Sequence, residues 1–354
     1  MTGGVFEQET NKGNTMKKNA AIVAMLIAGL ATPAFAQTLP ATEITVVGNL
    51  GTTTQSRVLE APFWTTKVTE LSGGSVKARF RPMNELGLKG PEMFGMVTDG
   101  VMNIATGQLG HHSGHDPIND GSDLAGMSSN YDEFEAASTA FFPILAEYYR
   151  TKLGLHLLAL QSYQSQVVYC RVPVENLADI KGKRVRTSGA SQSDFIAYLG
   201  GAPVNMPFGE VQQALEQGVI DCAITSTVGG YTSRWYEGSK FVYDLPVNFG
   251  AGATVANAAW WDALDPAVQA FLTKEVGALS AEMWAQNRRE DREGIACNGA
   301  GPCSIGEPAM QTIVTPTEAD LALQKEAFEK GVLPGWLNRC GEVCSDAYEK
   351  LSAR

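Results

Sequence analysis

Apolar residues alternate with polar ones in short runs along the first part of the chain, and the longer segments between these runs carry apolar residues at helical spacing. The predicted strands are Glu43–Val47, Val76–Phe80 and Val101–Thr106, and the predicted helices are Gln55–Leu71 and Pro91–Thr98. This β-α-β-α-β order predicts parallel strands with helices on the faces of the sheet.

A second unit with the same pattern follows a loop at 107–130 and a long helix. The helix runs from Asp132 to Leu153, and Gly154 ends it. Two tandem α/β units predict two lobes with a ligand cleft between them. The elements of the second unit are strands at Leu157–Leu160, Val167–Cys170, Val204–Met206 and Val219–Thr225, and helices at Gln192–Leu199 and Gly209–Gln217.

The remaining segments are expected to join the lobes. Phe249–Asn257 is Gly-rich and strand-like, which suits a crossing back between lobes, and a long helix is predicted from Pro266 to about Arg292. Residues 316–354 are expected to form two helices. The expected boundaries are 41–160 with 250–290 for lobe 1, and 161–249 with 291–354 for lobe 2.

The first 36 residues have the pattern of a leader. From Met16 the chain carries Lys17 and Lys18, an apolar run at Ala20–Leu30 and an Ala-x-Ala cleavage pattern at Ala34–Ala36, which predicts a secretory signal peptide behind an upstream extension. The apolar run is shorter than the roughly 20 residues that span a bilayer. A mature, exported, periplasmic protein is therefore expected.

Charge narrows the classes of partner. The whole chain has a formal net charge of −11, and without residues 1–36 the acidic count falls from 38 to 36 and the basic count from 27 to 24, which leaves −12. An acidic protein without a basic stripe is a poor candidate for binding nucleic acid or anionic membranes. An anionic ligand must then be held by a few placed donors.

All six cysteines follow the predicted leader, as expected of a protein from an oxidising compartment. Cys170 and Cys222 lie in strand-like runs and would pair if those strands are neighbours. The other four form the close pairs Cys297 with Cys303 and Cys340 with Cys344, which predict two local disulfide loops or one cross-linked cluster. Their spacings do not match the usual zinc-ligand pairs on both sides, so disulfides are favoured over a metal, and no metal or cofactor is predicted.

An Arg-x-Arg stretch offers the clearest candidate for an anion site. The alternation around Arg184 and Arg186 is that of a strand, which places both side chains on one face, and the Thr-Ser-Gly at 187–189 closes the strand at a loop. Ligands bind beyond the carboxyl ends of such strands, and a guanidinium matches a carboxylate or phosphate. Taken alone, an Arg-x-Arg pattern more often marks two solvated charges on an edge strand.

The motifs around this stretch, taken in order, resemble the extracytoplasmic solute-binding subunit of tripartite ATP-independent periplasmic (TRAP) transporters, the DctP-type family. The similarity runs from about residue 43 to residue 290. The matching segments are Glu85–Gly87, Pro91–Gly100, Leu177–Arg186, Gly200–Phe208, Glu210–Asp221 and Asn257–Leu264.

The resemblance implies a two-lobed α/β periplasmic binding protein fold, with hinge strands and a long helix joining the lobes. It also implies a function without catalysis, in which the lobes close on a small organic acid and deliver it to a TRAP membrane permease. In that family the arginine at the position of Arg186 pairs with the substrate carboxylate. Arg184 has no assigned role.

Two departures from the family pattern narrow the expected ligand. Many members carry a second arginine where this chain has Gln166, close to Tyr163, and the family's Asp-Gly-x-x-Asn is replaced by Asp-Cys-Ala-Ile-Thr ending at Thr225. The pocket then offers one firm carboxylate contact and neutral donors elsewhere. A monocarboxylate is favoured over a dicarboxylate.

Three further residues are candidates for ligand contact. Phe208 matches a family position whose ring faces the ligand, although an aromatic residue after a buried strand is equally a core residue. Asn49 and Gln108 follow the first and third strands, where the first lobe meets the ligand. A turn asparagine also commonly caps the backbone.

The cluster of His111, His112 and His115 supports an alternative from another class, a secreted metal-dependent hydrolase. Gly110 and Gly114 interrupt any helix there and the zincin motif is absent, so a histidine loop at the rim is favoured. A nearer alternative is a binding protein for an ABC importer or a sensor kinase.

Overall fold

The structure is a computed structural model that describes residues 1–3 and 39–352. The predicted signal peptide lies outside the described residues. The strands of 39–352 belong to two separate sheets, and each sheet takes strands from distant parts of the chain.

The first sheet has the strand order β2-β1-β3-β10-β4. Its first three strands are parallel, as their β-α-β-α-β order predicts, and β10 lies antiparallel between β3 and β4. The strands are β1 (Thr42–Gly48), β2 (Val76–Pro82), β3 (Ile104–Gln108), β4 (Leu155–Gln161) and β10 (Gly252–Asn257).

The second sheet has the strand order β11-β9-β5-β8-β6-β7. Strands β6, β7 and β8 are parallel to one another, so their carboxyl ends meet at one edge, and β5 is antiparallel to β8. The strands are β5 (Gln166–Cys170), β6 (Arg184–Thr187), β7 (Ala202–Asn205), β8 (Cys222–Ser226), β9 (Phe241–Asn248) and β11 (Thr312–Val314).

Helices cover the sheets and connect them. The α-helices are α1 (Val68–Leu71), α2 (Met93–Thr98), α3 (Tyr131–Tyr148), α4 (Ala190–Tyr198), α5 (Val211–Glu216), α6 (Thr227–Thr232), α7 (Ala258–Asp262), α8 (Pro266–Asn298), α9 (Glu318–Ala327), α10 (Leu333–Cys340) and α11 (Glu342–Ser352). Before α1, two wider helical segments, Gln55–Glu60 and Phe63–Lys67, fill most of the predicted first helix.

The long helix α8 contacts the first sheet and a helix that follows a strand of the second sheet. Trp284 donates from its indole to the carbonyl of Leu160 in β4 (3.0 Å), and Asn298 at its other end donates to the carbonyl of Thr227 in α6 (2.7 Å). The helix begins at Pro266, where Asp265 accepts a hydrogen bond from the amide of Ala267. It therefore passes from one sheet to the other as one continuous helix.

Several helix ends lie where glycine predicts them. Gly73 and Gly74 follow α1 with φ of 61° and 90°, and Gly154 ends the helical stretch after α3 with φ of 64°. These left-handed angles favour glycine because it lacks a β-carbon. Past α9, the helical stretch continues through Phe328–Val332 into α10 and breaks at Gly341, so the terminal segment is two helices as predicted.

Two strand starts were predicted too early. Val101 is 58% exposed, and its amide donates to the carbonyl of Met96 in α2, so it belongs to the turn that ends this helix. Strand β3 begins only at Ile104. Val219 is 49% exposed, and β8 begins at Cys222. In both places, helix ends and turns use apolar residues that alternation alone assigns to a strand.

The six cysteines form three disulfides: Cys170 with Cys222, Cys297 with Cys303, and Cys340 with Cys344. Cys170 and Cys222 face each other on the neighbouring strands β5 and β8, as the strand-pairing prediction requires. Of the two arrangements left open for the other four, the local loops are correct. Among the described residues, no helix is long and apolar enough to cross a membrane.

Candidate functional site

The candidate site lies where the carboxyl ends of parallel strands from both sheets approach each other. Asn49 follows β1 and Gln108 ends β3 in the first sheet, and Arg186 lies near the end of β6 in the second. The crevice beyond such strand ends is the usual ligand position in α/β proteins.

Arg186 is the central residue of this site. Its side chain is 2% exposed, and it donates from Nε to the carbonyl of Met206 (3.0 Å) and from Nη1 to the carbonyl of Ile224 (2.8 Å). Among the described residues, no carboxylate forms an ion pair with it. Burial lowers the pKa of Arg186 to about 10, so the guanidinium stays charged at neutral pH. The two carbonyls fix the plane of the guanidinium.

Arg184 has a different role two residues earlier. It is exposed, and its guanidinium pairs with Asp221 through two contacts, Nη2 to Oδ1 (2.8 Å) and Nε to Oδ2 (3.0 Å). The two arginines of the Arg-x-Arg stretch therefore divide into a surface ion pair and a buried cation. Only Arg186 has the environment of an anion site.

Aromatic rings pack beside Arg186. The guanidinium carbon lies 6.0 Å from the ring centre of Phe208 and 5.9 Å from that of Trp235, and the two rings are 5.3 Å apart. Phe208 is half-buried whereas Trp235 is fully buried. The half-buried ring of Phe208 thus lies beside the cation.

Gly250 brings three of the predicted residues together. A β-carbon placed on it would lie 2.9 Å from Nε2 of Gln166, 3.3 Å from Cβ of Tyr163 and 3.4 Å from Nε2 of Gln108. Gly250 has φ of 72°, so glycine is required here by both space and backbone angle. Gln166, from the second sheet, therefore lies close to Gln108, from the first.

Asn49 joins this group through Tyr163. The Tyr163 hydroxyl donates to Oδ1 of the Asn49 side chain. The backbone amide of Asn49 donates to Oε2 of Glu60 (2.9 Å). Glu60 is fully buried, and desolvation raises its pKa to about 7. Asn49 therefore belongs to a buried polar cluster rather than acting only as a backbone cap.

Thr225 lies next to the cation. It is buried in β8, directly after Ile224, whose carbonyl accepts from Arg186, and it pairs with Val167 beside Gln166. The predicted residues thus form two adjacent groups. Arg186, Phe208 and Thr225 make the cationic group, and Asn49, Gln108, Tyr163 and Gln166 make the neutral polar group.

The histidine loop divides among three environments. His112 is buried and stacked on Phe94 with ring centres 3.8 Å apart, whereas His115 is exposed. His111 fills the space that a β-carbon on Gly90 would occupy, and burial and the charge of Arg186 lower its pKa to about 4. His111 therefore presents a neutral imidazole near the cation, and the described residues contain no cluster of three or more potential metal ligands.

The loop after β3 is bonded to the amino end of α4. Asp120 Oδ2 accepts from the amide of Ser191 (3.1 Å), and Ser113 Oγ accepts from the amide of Ala190 (3.2 Å). A β-carbon on Gly189 would lie 2.8 Å from the carbonyl oxygen of Gly110, so the two backbones are in contact. The parts of the chain that follow β3 and β6 thus close over the site.

Asp123 holds the segment that crosses from β9 to β10. Its carboxylate accepts from the amides of Phe249 (2.9 Å), Gly250 (2.7 Å) and Ala251 (3.0 Å), and from Nδ2 of Asn248 (2.7 Å). Desolvation raises the pKa of Asp123 to about 6 despite these bonds. The crossing predicted for 249–257 is therefore fixed at its first three residues by one buried carboxylate.

Sequence reasoning did not identify Glu60, Asp120, Asp123 or Trp235. Only Glu60 of these four could have been predicted from a local pattern. Ser56, Glu60 and Trp64 recur every four residues on the buried face of the predicted helix, where a glutamate is unusual. The other three lie in loops or short turns whose partners are distant in the sequence.

Known proteins resemble this chain in sequence and in fold. The chain is 25% identical to the 2,3-diketo-L-gulonate-binding periplasmic protein YiaO of Escherichia coli (strain K12) over 288 residues, 79% of this chain and 86% of that protein. The structure of DctP7, a Bordetella pertussis extracytoplasmic solute receptor binding pyroglutamic acid, matches with a TM-score of 0.79 and 22% identity, covering 88% of this chain and all of that one (100%).

A TRAP periplasmic solute binding protein from Desulfovibrio salexigens, with bound orotic acid, matches with a TM-score of 0.77 and 17% identity over 88% of this chain and 99% of that one. These likenesses establish the two-lobed fold. The model of the bacterial extracellular solute-binding protein family 7, DctP, matches residues 48–329. That family consists of solute receptors rather than enzymes, which overturns the hydrolase alternative. The chain belongs to the DctP family of extracytoplasmic solute-binding proteins.

Proposed function

We propose that the protein is a periplasmic receptor that closes on a small organic monocarboxylate and delivers it to a TRAP-type permease. The observation that carries this proposal is the buried guanidinium of Arg186, which has two carbonyl partners and no carboxylate partner among the described residues. A buried cation without a counter-ion is costly, and a ligand carboxylate removes that cost.

Closure supplies the coupling between capture and delivery. The contacts of Asp120 and Ser113 with α4 join the segments that follow β3 and β6, and closure of the lobes is proposed to bring these segments together. The segment held by Asp123 and the long helix α8 both pass between the sheets and serve as the hinge. The permease then receives only the closed, loaded shape.

The preference for one carboxylate follows from the charges near the ligand. Gln166 occupies the place of a second arginine, and its Nε2 donates to the carbonyl of Gln164 (2.9 Å). The charge of Arg184 is paired with the carboxylate of Asp221. A dicarboxylate would leave its second charge facing neutral amides and the neutral His111.

Two measurements test the function. Mass spectrometry of ligand released from purified protein is expected to find a small carboxylic acid, and calorimetry with that acid is expected to lose about tenfold or more affinity in Arg186→Ala. Arg184→Ala is the matched control, because it removes an exposed guanidinium of the same strand, and it is expected to bind normally. Equal affinity of the wild type and Arg186→Ala would overturn the assignment.

The valence of the ligand is tested with the same protein. Malonate and a monocarboxylate of similar size are expected to bind with the monocarboxylate tighter, and Gln166→Arg is expected to reverse that order. Uptake in reconstituted vesicles with the TRAP permease, and not with an ATP-driven importer, distinguishes the transport partner. Tighter binding of malonate by the wild type would contradict the monocarboxylate proposal.

A further inference from the structure

One edge of the first sheet is basic, although the whole chain has a formal net charge of −11. Lys77, Arg79 and Arg81, the basic row, are exposed and alternate along β2, which is the last strand of that sheet. We propose that this edge docks an extended acidic segment of a protein partner, which adds to β2 as a further strand. The inference is separate from the proposed function, because it concerns a partner of the sheet edge and not the captured ligand.

The three cations of the basic row share one face of the sheet. Successive side chains of a strand point to opposite faces. Ala78 and Phe80, which lie between the cations, pack against the buried core that contains Trp64. The basic row therefore points to the other face, and its members follow one another about 7 Å apart along the strand.

Most of this positive charge is not neutralised by the neighbouring strand. The residues of β1 beside the basic row are Glu43, Thr45 and Val47. Only Glu43 is charged, and its carboxylate pairs with Arg79 at 3.1 Å with both side chains largely exposed. Lys77 and Arg81 form no ion pair with the described residues. Two of the three cations are therefore available to a partner.

The main chain of β2 also presents hydrogen-bonding groups at this edge. The amide of Val76 donates to the hydroxyl of Ser72 (2.9 Å), and that hydroxyl donates to the carbonyl of Val76 (3.3 Å), so the backbone of Val76 points away from β1. Since these directions alternate along a strand, the amides and carbonyls of Ala78 and Phe80 also point away from β1. Among the described residues, no strand pairs with that side of β2.

The charge of the row selects the strand that can pair there. A second copy of β2 would place like charges opposite each other, which is how basic residues protect an edge from self-pairing. A segment with carboxylates at alternate positions would instead place opposite charges side by side. Strand β2 lacks other protection, because its seven residues pair with β1 in one continuous register and its only proline is the last residue.

An anionic membrane fits the basic row less well than an acidic protein segment does. Membrane-binding clusters contain about four to eight basic residues, whereas this row has three. An anionic surface also repels the net negative charge of the whole protein. An extended segment uses both the cations and the open backbone groups, as in other cases of strand addition.

The probe is a fluorescent synthetic peptide as long as β2, with glutamate at alternate positions and threonine or valine between them. Fluorescence anisotropy with the purified mature protein is expected to show binding that weakens as the salt concentration rises. The combined variant Lys77→Gln, Arg79→Gln and Arg81→Gln is expected to bind the peptide about tenfold more weakly. Its melting temperature is expected to stay within a few degrees of that of the wild type.

Two controls separate the edge from charge alone. The combined variant Lys152→Gln, Arg171→Gln and Arg289→Gln removes the same residue types from exposed positions elsewhere, and it is expected to bind like the wild type. Two further peptides carry N-methyl groups, one on the amides of the glutamates and the other on the amides between them. Strand addition uses only one of these sets, so only one of the two peptides is expected to lose binding.

Each other outcome counts against the docking surface. Equal peptide affinity of the wild type and the β2 variant, or an equal loss in the control variant, overturns the assignment to β2. Equal binding of both methylated peptides overturns strand addition. Absence of peptide binding refutes the proposal, and self-association of the β2 variant would then show that the row only protects the edge. Binding to phosphatidylglycerol vesicles that requires the row, without peptide binding, would replace the protein partner by a lipid.

Discussion

The charge of Arg186 is the residue-level feature from which the function follows. A guanidinium has five N–H donors in a rigid fork, and two carbonyls satisfy only part of it while supplying no negative charge. The side chain is held in place before any ligand arrives. A carboxylate that completes the fork then gains a charge-assisted contact without reorganising the protein.

Gly250→Ala tests whether the centre of the neutral polar group is built around a missing side chain. The substitution is expected to cost about 1–2 kcal/mol of stability from the left-handed backbone alone. The new methyl group would also displace Gln166, so ligand affinity is expected to fall. Calorimetry and thermal unfolding measure the two effects.

Gly154→Ala is the matched control. Gly154 has φ of 64°, and a β-carbon there meets nothing within 4 Å. The same backbone cost is expected, with ligand affinity unchanged. If Gly154→Ala weakened binding as much as Gly250→Ala, the contact with Gln166 would not be the cause.

Sequence reasoning reached Arg186 and the residues near Gly250 because family motifs and strand ends mark them. It did not reach Trp235 or Asp123, because their roles depend on approach between segments far apart in the chain. The distance from Asp123 to the amide of Gly250 is a property of tertiary structure, and no local pattern encodes it. Glu60 was within reach through its place on a buried stripe.

At the scale of elements, the amino end of α4 depends on a carboxylate from elsewhere in the chain. Asp120 accepts from the Ser191 amide, an otherwise unpaired donor of the first turn of the helix. Desolvation raises the pKa of Asp120 from 3.8 to about 7, although Arg339 opposes this shift. The folded protein therefore retains a proton on Asp120 at pH values where the unfolded chain has lost it.

Stability is consequently expected to fall as pH rises from about 4 to about 7. In that window the folded state binds more protons than the unfolded state, so the free energy of unfolding decreases with a slope of at most about 1.4 kcal/mol per pH unit from this group. Asp120→Asn keeps an acceptor for Ser191 and is expected to flatten the slope. Melting temperatures at several pH values measure it.

Asp99→Asn, at an exposed aspartate, serves as the control and is expected to leave the slope unchanged. Part of the slope is expected to remain in Asp120→Asn, since burial also raises the pKa of Asp123 to about 6 and that of Glu60 to about 7. A slope as steep in Asp120→Asn as in the wild type would contradict the prediction.

The disulfides differ in the length of chain that they close. Cys170 and Cys222 are 52 residues apart, whereas Cys340 and Cys344 are 4 apart. Chain entropy predicts a loss of about 4 kcal/mol on removing the first bond and about 2 kcal/mol on removing the second. Double alanine variants and denaturant unfolding measure both losses. An equal loss for the two pairs would argue against an entropic origin.

At the scale of the whole molecule, the contacts of the loop after β3 with α4 join segments that follow strands of different sheets, and the proposed function makes their formation part of lobe closure. Ligand is therefore expected to lower the radius of gyration in small-angle X-ray scattering. Arg186→Ala is expected to show no ligand-dependent change, because it lacks the guanidinium that binds the ligand carboxylate and so stabilises the closed state. An unchanged radius in the wild type with bound ligand would contradict closure as the mechanism.

The position of β10 has a consequence for how the protein folds. This strand lies between β3 and β4, and Thr254 pairs with Thr106, which is 148 residues earlier. A chain exported from its amino end cannot complete the first sheet until residue 257 has emerged, and until then β3 and β4 expose unpaired edges that invite aggregation. No single cut in the chain separates the two sheets. The strands β5 to β9 of the second sheet lie between β4 and β10, so they must emerge and be protected before the first sheet is complete.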